Sequence, residues 1–489
     1  MINHRIDLRT IARRAMIERG LWPEFSPAVM AELARIQAPA TTQVSHVRDL
    51  TQLLWASIDN DDSRDLDQLT VAVPQSDHSV TILVAIADVD ALVPKDSALD
   101  AHARHNTTSV YTSGEIFSML PEKLSTDLTS LGEGQDRLAM VVEFVVADDG
   151  TVRNSSLYRA LVHNHAKLAY NSVAAWLMGM EPAPARVTAV SGLDAQLRLQ
   201  DQVAQRLKAR RHQQGALSLE TIEPRAVFED DVLTGLRVEQ KNRAKELIED
   251  FMIAANQATA AYLRHAGVPS FRRILRSPDR WMRIVEMAAR WGEVLPPEPD
   301  ARALETFLVS RRKASPDTFP DLSLAIVKLI GRGEYVLDRS ADDAHEHFGL
   351  AVKAYTHSTA PNRRFPDLIT QRLIKAVMTG TPMPYRPDEL DYLAGHCTEK
   401  EDDAERVERQ LRKSAAALLL APRIGERFEA IVTGASSKGT WVRLLDPPVE
   451  GKLQTGNGLD VGDRVGVQLV STNVDRGFID FSRVVAQGL

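Results

Sequence analysis

Ser57-Ile58-Asp59-Asn60-Asp61-Asp62-Ser63-Arg64-Asp65-Leu66-Asp67-Gln68-Leu69 puts five carboxylates into one short connection between stretches that read as β-strands. Hard divalent cations prefer oxygen ligands, and such a loop can aim several of them at one point while the cation offsets their mutual repulsion. A calcium loop of the EF-hand kind is the first alternative, because Asp59, Asp61, Ser63, Asp65 and Asp67 fall on alternate positions. It fails on Arg64, which stands where the sharp turn needs glycine, and on Thr70, which stands where the bidentate glutamate belongs. The flanks are strands where helices are required. A solvated acidic turn stays open as the plainer alternative for an isolated charge run.

Outward from this loop the hydrophobic period identifies the elements. Val71 and Val73 alternate, Pro74-Gln75-Ser76-Asp77 supplies turn residues, and Val80, Ile82, Val84 and Ile86 alternate again, which predicts an antiparallel hairpin. Further strands are expected at Met140–Val146 and Thr151–Leu161. Upstream, Leu8, Ile11, Ala12, Ala15 and Met16 recur at helical spacing before Gly20, and Ser26-Pro27 offers an N-cap and a first-turn proline to a second helix with Val29, Met30, Leu33 and Ile36. This two-helix leader suits either a small packing core or a helix-turn-helix that touches nucleic acid. Downstream, Ala244, Leu247, Ile248, Phe251, Met252 and Ala255 form one helical stripe ahead of Gly267 and Pro269. A long helix carries Val407, Leu411 and Leu418 and closes at Pro422 and Gly425. Beyond it, Phe428–Thr433, Thr440–Leu445, Arg464–Val470 and Gly477–Phe481 read as the strands of a small β-barrel.

The chain has 489 residues, enough for two or three domains, with 44% hydrophobic and 26% charged residues, as in ordinary globular proteins. A single cysteine, Cys397, allows no internal disulfide and no thiolate cluster, so a reducing compartment is expected. The first residues, MINHRIDLRTIARRAM, lack the apolar stretch of a signal peptide, and no apolar run reaches the length of a membrane span. A cytoplasmic protein without membrane contact is the expectation. The formal charge of -7 excludes nucleic-acid binding by global positive potential and leaves a local basic channel open. Neither His163 and His165 nor His345 and His347 has the HExxH spacing of a zinc site, and no GxxxxGK[ST] or GxSxG stretch occurs.

Asp59, Asp65 and Asp67, followed by Ile86-Ala87-Asp88-Val89-Asp90, by Met119-Leu120-Pro121-Glu122-Lys123-Leu124-Ser125 and by Tyr355-Thr356-His357-Ser358-Thr359-Ala360-Pro361-Asn362-Arg363-Arg364-Phe365-Pro366-Asp367, resemble in order and spacing the signature of the RNB exoribonucleases, the ribonuclease II and R family. The resemblance runs from about Asp59 through Leu420, and the last segment is similar to the S-one-type OB domain common in that family. It implies an α+β architecture: a helical region over 1–45, an RNB catalytic domain over 46–422 and an RNA-binding OB barrel over 423–489. The helical leader stands where many members have cold-shock modules. The implied reaction is hydrolysis of the last phosphodiester at the 3′ end of single-stranded RNA, releasing nucleoside 5′-monophosphates one at a time.

Each site residue then follows from the motif it matches. Asp59, Asp65 and Asp67 would hold magnesium, with manganese as an alternative, and Asp67 would be the carboxylate the chemical step needs most. Gln68 stands where the commonest pattern has a fourth aspartate; its neutral carbonyl can still ligate a metal or a metal-bound water, at lower affinity. Arg363 would bind the scissile phosphate through its planar fork of donors. Its neighbours Ala360 and Asn362 replace a serine and an isoleucine of the pattern. Glu408 has the spacing of a family glutamate, or is one more solvated member of the run Glu399–Arg409. Tyr111 matches a tyrosine that stacks near the terminal base, and Phe271 is a second candidate face. On the barrel, Trp441 could stack a base or pack inward, while Lys438 and Arg443 could meet phosphates. The expected partner is single-stranded RNA; the chain is expected to be a monomer, with no protein partner inferred. Loss of the metal site through Gln68 would instead leave a catalytically weakened RNA-binding protein, and a DNA-directed nuclease is a third reading.

Overall fold

The computed structural model describes residues 4–41, 47–222, 224–238, 241–339, 346–436, 439–454, 458–459 and 461–484; Lys438 and His345 lie outside these described residues. Helix α1 (His4–Glu18) buries the stripe Leu8, Ile11, Ala12, Ala15 and Met16. Helix α2 (Pro27–Arg35) is capped by Ser26, whose Oγ accepts the Val29 N–H at 3.3 Å, with Pro27 at the first helical position. Met30, expected on the apolar face, is 50% exposed; Val29 and Leu33 make the contact instead.

The body is a seven-stranded mixed sheet formed by β1 (Arg48–Asp49), β2 (Ala56–Asp59), β3 (Gln68–Pro74), β4 (Val80–Ala87), β7 (Asp136–Val146), β8 (Val152–His163) and β9 (Ala166–Ala169). Its spatial order is β1-β8-β7-β4-β3-β2-β9. Strands β5 (Val110–Tyr111) and β6 (Ile116–Phe117) form a separate small hairpin. The hairpin expected at 71–86 is β3–β4, paired from Gln68↔Ile86 to Pro74↔Val80. All eight residues of β4 are buried. The strand is central, between β3 and β7, and covered on both faces, so its intervening positions are Leu83, Ala85 and Ala87 rather than charged residues.

Helices α3 (Ala98–Asn106), α4 (Tyr170–Leu177), α5 (Ala185–Thr188), α6 (Leu193–Gln214) and α7 (Arg243–His265) surround the sheet, and α7 runs over β2, β4, β7 and β8. A hairpin of β10 (Pro224–Glu229) and β11 (Val232–Val238) precedes α7; β12 (Ser270–Ile274) pairs with β13 (Glu334–Asp338) across α8 (Trp281–Ala289), α9 (Ala301–Ala314) and α10 (Phe319–Ile330). Helix α11 (Phe365–Thr379) and the 34-residue helix α12 (Pro387–Leu420) complete the body. None of the described helices is long and apolar enough to cross a membrane.

After α12 comes a closed barrel of β14 (Arg427–Ser436), β15 (Gly439–Leu444), β16 (Glu450–Leu453), β17 (Arg464–Asn473) and β18 (Phe478–Arg483), in the order β14-β15-β16-β18-β17. Strand β16 went unseen in the sequence because it has only four residues, one of them glycine. The barrel is seated on the body. Gly477, at φ +65°, lets its turn lie against α12: a Cβ there would stand 2.6 Å from Lys413 Cβ. Arg443, expected to meet phosphates, is instead turned to the buried Asp321 of α10, with Nη2 2.9 Å from both carboxylate oxygens.

Candidate active site

The five-carboxylate stretch is the β2–β3 connection, at one end of the sheet. Asp59 ends β2, and Asp67 stands just before β3, with its carbonyl accepting the Ala87 N–H at 2.9 Å. A second segment shapes the loop between them. Ser130, 1% exposed, accepts the Leu66 N–H at 3.0 Å and donates to the Arg64 carbonyl at 2.8 Å, while Leu131 N–H reaches the Leu66 carbonyl at 2.9 Å. Ser130 follows a π-helical turn, Lys123–Leu128, that begins within the Met119–Ser125 motif. Ser130→Ala leaves a buried N–H without its acceptor. A stability loss of about 1–3 kcal/mol, read as a lower Tm, is expected together with a fall in activity; an unchanged Tm would remove Ser130 from this role.

Asp67 is 2% exposed. Its Oδ1 accepts the Asn362 backbone N–H at 3.0 Å; its Oδ2 is buried without a hydrogen-bond partner, with Arg363 Nε 3.6 Å away. Burial pushes the Asp67 carboxyl up to about 7, opposed by Arg363 and the Asn362 N–H and reinforced by Asp65. Asp59 is likewise held above the ordinary carboxylate range, first by burial and then by Asp65, against hydrogen bonds from Asn60 and Ser63. The charge of Asp65 is therefore felt by both Asp59 and Asp67. Among the described residues no group of three or more His, Cys, Asp or Glu side chains forms a ready-made metal cage. The fit to a cation rests on Asp67 Oδ2, a buried oxygen lacking a donor beside a second carboxylate.

Arg363 is carried by the turn that enters α11. Its carbonyl accepts the Ser109 N–H at 3.0 Å, and Phe365 N–H bonds the Thr107 carbonyl at 2.8 Å, so two backbone contacts pin the turn. Its side chain is 44% exposed, which leaves the guanidinium reachable, and it lies just ahead of the N-terminus of a 15-residue helix, where the local field favours anions. Asn362 is fully buried and its Oδ1 takes the Thr129 hydroxyl. The contact to Asp67 comes from the backbone, so the departure from isoleucine leaves it intact. The Asp88 and Asp90 carboxylates of the second motif are structural: Asp88 binds Arg159 Nη2 at 2.7 Å, Asp90 binds Arg372 at 2.8 Å, and Lys375 of α11 reaches both.

Tyr111 ends β5 and is 41% exposed, with its hydroxyl 3.3 Å from Asp65 Oδ2. Burial of the phenol together with Asp65 and Asp67 keeps it protonated. Glu408 reaches down from α12 to accept the Tyr111 backbone N–H at 2.8 Å, which makes it a support for the tyrosine. Phe271 is 1% exposed in the main core, 6.2 Å from the Tyr335 ring, and offers no face to a base; as the second residue of β12, its side chain turns inward. Gln68 opens β3 opposite Ile86 and is half-buried. Trp441 lies on the outer, half-buried side of β15, over Gly434 and Gly439, away from the barrel core. Tyr170, absent from the sequence reading, has its phenol raised by burial and then by Asp59. No local motif marks it. It follows Ala169, the residue paired with Asp59 across β2 and β9, which only the topology reveals.

The profile of the RNB domain matches residues 47–380, and that of the RNase II-type exonuclease C-terminal S1 domain matches residues 426–484. Ribonuclease R of Vibrio parahaemolyticus is 29% identical over 500 residues, covering 95% of this chain and 59% of the relative. Ribonuclease R of Escherichia coli is 28% identical over 522 residues, covering 96% and 61%. The chain thus spans about 60% of the length of these relatives. Mycoplasma genitalium RNase R, solved in complex with ribose-methylated single-stranded RNA, superposes with a TM-score of 0.87 at 20% identity over 99% of this chain and 78% of its own. Yeast Ssd1, described as a pseudonuclease, superposes at 0.70 with 16% identity over 91% and 55%. At these identities the structural likeness speaks for the fold alone.

Proposed function

This chain belongs to the RNB family, whose domain profile covers residues 47–380 of it, and from that premise we propose that it is a hydrolytic 3′→5′ exoribonuclease that shortens single-stranded RNA to nucleoside 5′-monophosphates with magnesium as its metal. The observation that carries the reading is Asp67: a carboxylate buried at the end of the sheet, with one oxygen lacking a hydrogen bond, beside Asp65 and an accessible arginine. Asp59, Asp65 and Asp67 would hold the metal, with the Gln68 carbonyl as a further oxygen. When bound, a divalent cation supplies Lewis acidity and cancels charge at the scissile phosphate.

The chain's own residues do the rest. Arg363, pinned through its backbone, offers a fork of N–H donors to the terminal phosphate and to the charge that grows on it. Tyr111, gripped by Glu408, presents its ring to the last base and its hydroxyl to Asp65. Burial of Asp67 removes water from the carboxylate and strengthens every charge interaction made there. Trp441 on the barrel's outer side is proposed as a further stacking face. A cytoplasmic chain acting alone is the matching context, in keeping with Cys397, whose thiol is buried and held above its ordinary range.

The test is incubation of 5′-labelled RNA and DNA oligonucleotides with the purified protein in magnesium or EDTA. A ladder of RNA losing 3′ residues only with magnesium supports the proposal; binding without shortening favours an RNA-binding protein, and shortened DNA a different nuclease. Gln68→Asp adds a charged oxygen, so the magnesium concentration at half-maximal rate should fall by about tenfold or more. An identical titration would place Gln68 away from the metal.

A further inference from the structure

Helix α1 lies directly against the β5–β6 hairpin that carries Tyr111. A Cβ built on Gly114, in the turn of that hairpin, would stand 2.6 Å from the Arg9 nitrogen and 2.7 Å from the Leu8 carbonyl carbon, so the turn lies flush on the helix backbone and requires glycine. One residue later, Glu115 takes two hydrogen bonds from Arg13, from Nε and Nη2 at 2.9 Å each, with Arg9 Nε 3.5 Å away. The Glu115 side chain is 20% exposed and that of Arg13 35%, so this two-pronged, half-buried pair differs from the exposed pairs that contribute little. Beneath it Val110 and Phe117 share a core with Leu8, Ile11 and Ala12 of α1 and Val407 and Leu411 of α12. Thr112 Oγ1 ties the turn, accepting from Gly114 and Glu115 N–H at 3.3 and 3.1 Å and donating to the Glu115 carbonyl at 2.6 Å. The hairpin is therefore a small stiff body, held on one side by α1 and on the other by Glu408 of α12.

We propose that the Arg13–Glu115 pair is a clamp through which the leader helix positions Tyr111 and so sets how closely the end of a bound RNA strand approaches Asp65. The inference rests on the reading of Tyr111 and Asp65 given under the proposed function. Arg13 is a positioning residue that acts through the hairpin, and its Nη1 also pairs with Glu24.

Arg13→Ala, Arg13→Lys, Glu115→Gln and the double variant Arg13→Ala/Glu115→Gln test it. The readouts are backbone hydrogen exchange at residues 110–117, KM and kcat on a short single-stranded RNA, and the length of the shortest resistant product. Arg13→Ala should speed exchange in the hairpin, raise KM by about fivefold or more with a smaller change in kcat, and lengthen the resistant product. Lysine, with a point charge in place of a fork, should fall between alanine and the parent. The double variant should be little worse than Arg13→Ala alone, because the shared contact is already lost there; what each residue contributes separately is the Arg13 pair with Glu24 and the longer Arg9 pair of Glu115. Glu115→Gln changes no packing and keeps the test valid if Arg13→Ala folds poorly. Parent-like exchange and KM in both single variants, or fully additive effects in the double, would overturn the clamp. A parent chain that leaves RNA intact would overturn the proposed function and with it the RNA half of this inference, while the exchange measurement still decides the clamp.

Discussion

Asp67→Asn is expected to abolish RNA shortening, lowering kcat by about three orders of magnitude or more, in a protein that melts no lower than its parent. The side chains have the same shape, and the asparagine Oδ1 can still accept the Asn362 N–H that Asp67 accepts at 3.0 Å. What disappears is a negative charge at a buried position whose second oxygen lacks a donor. Without metal that charge is a cost to folding: burial raises the folded carboxyl to about 7 from 3.8, so its contribution weakens stability as pH rises from about 4 towards 7. Removing it relieves the fold and removes the ligand. Single-turnover decay of 5′-labelled RNA, measured beside thermal melting, checks both halves; a drop in Tm accompanying the lost activity would make Asp67 a structural residue.

Arg363→Ala should cost about 10²–10³ in kcat, the price of removing one preorganised donor from a developing anion. Its side chain is 44% exposed and lies no nearer than 3.6 Å to Asp67, a long and weak ion pair, so most of its donors are available to a ligand. Stability should hardly change, because the turn is pinned by backbone contacts to Ser109 and Thr107 that alanine retains. Arg363→Lys should recover only part of the rate, since an ammonium cannot present the planar fork. Equal loss in KM and none in kcat would assign Arg363 to ground-state binding of the RNA backbone.

Order and spacing of motifs made the RNB domain legible, because Asp59, Asp65, Asp67 and Arg363 stand in short local runs. The long helix before the barrel was legible through its apolar stripe and the Pro422 and Gly425 that close it. What escaped was what depends on partners distant in the chain. Alternation in Val80–Ile86 announced a hairpin strand, and only the sheet order, with β3 and β7 on either side, shows that its intervening positions are buried as well. Glu408 has the spacing of a family glutamate, and the contact its sequence neighbourhood could not reveal is the Tyr111 backbone N–H, 297 residues away. Phe271 beside two arginines resembled a stacking face; Arg272 is in fact buried against Asp338 and Arg273 is paired with Glu401, so the whole strand belongs to the interior. Arg443 looked free for RNA and is spent on Asp321, a residue of another segment altogether. Tyr170, Ser130 and Arg13 carry no motif; each acquires its place from a neighbour that the fold delivers.

Paramagnetic manganese is the most direct probe of the site, because it reports binding without any substrate. Titrated with Mn²⁺ and followed by electron paramagnetic resonance, the parent chain should take up the ion at a site that magnesium displaces, and Asp67→Asn should lose it. Manganese bound equally by the parent and by Asp67→Asn, or not taken up by the parent at all, would contradict the central claim that these aspartates gather a divalent cation.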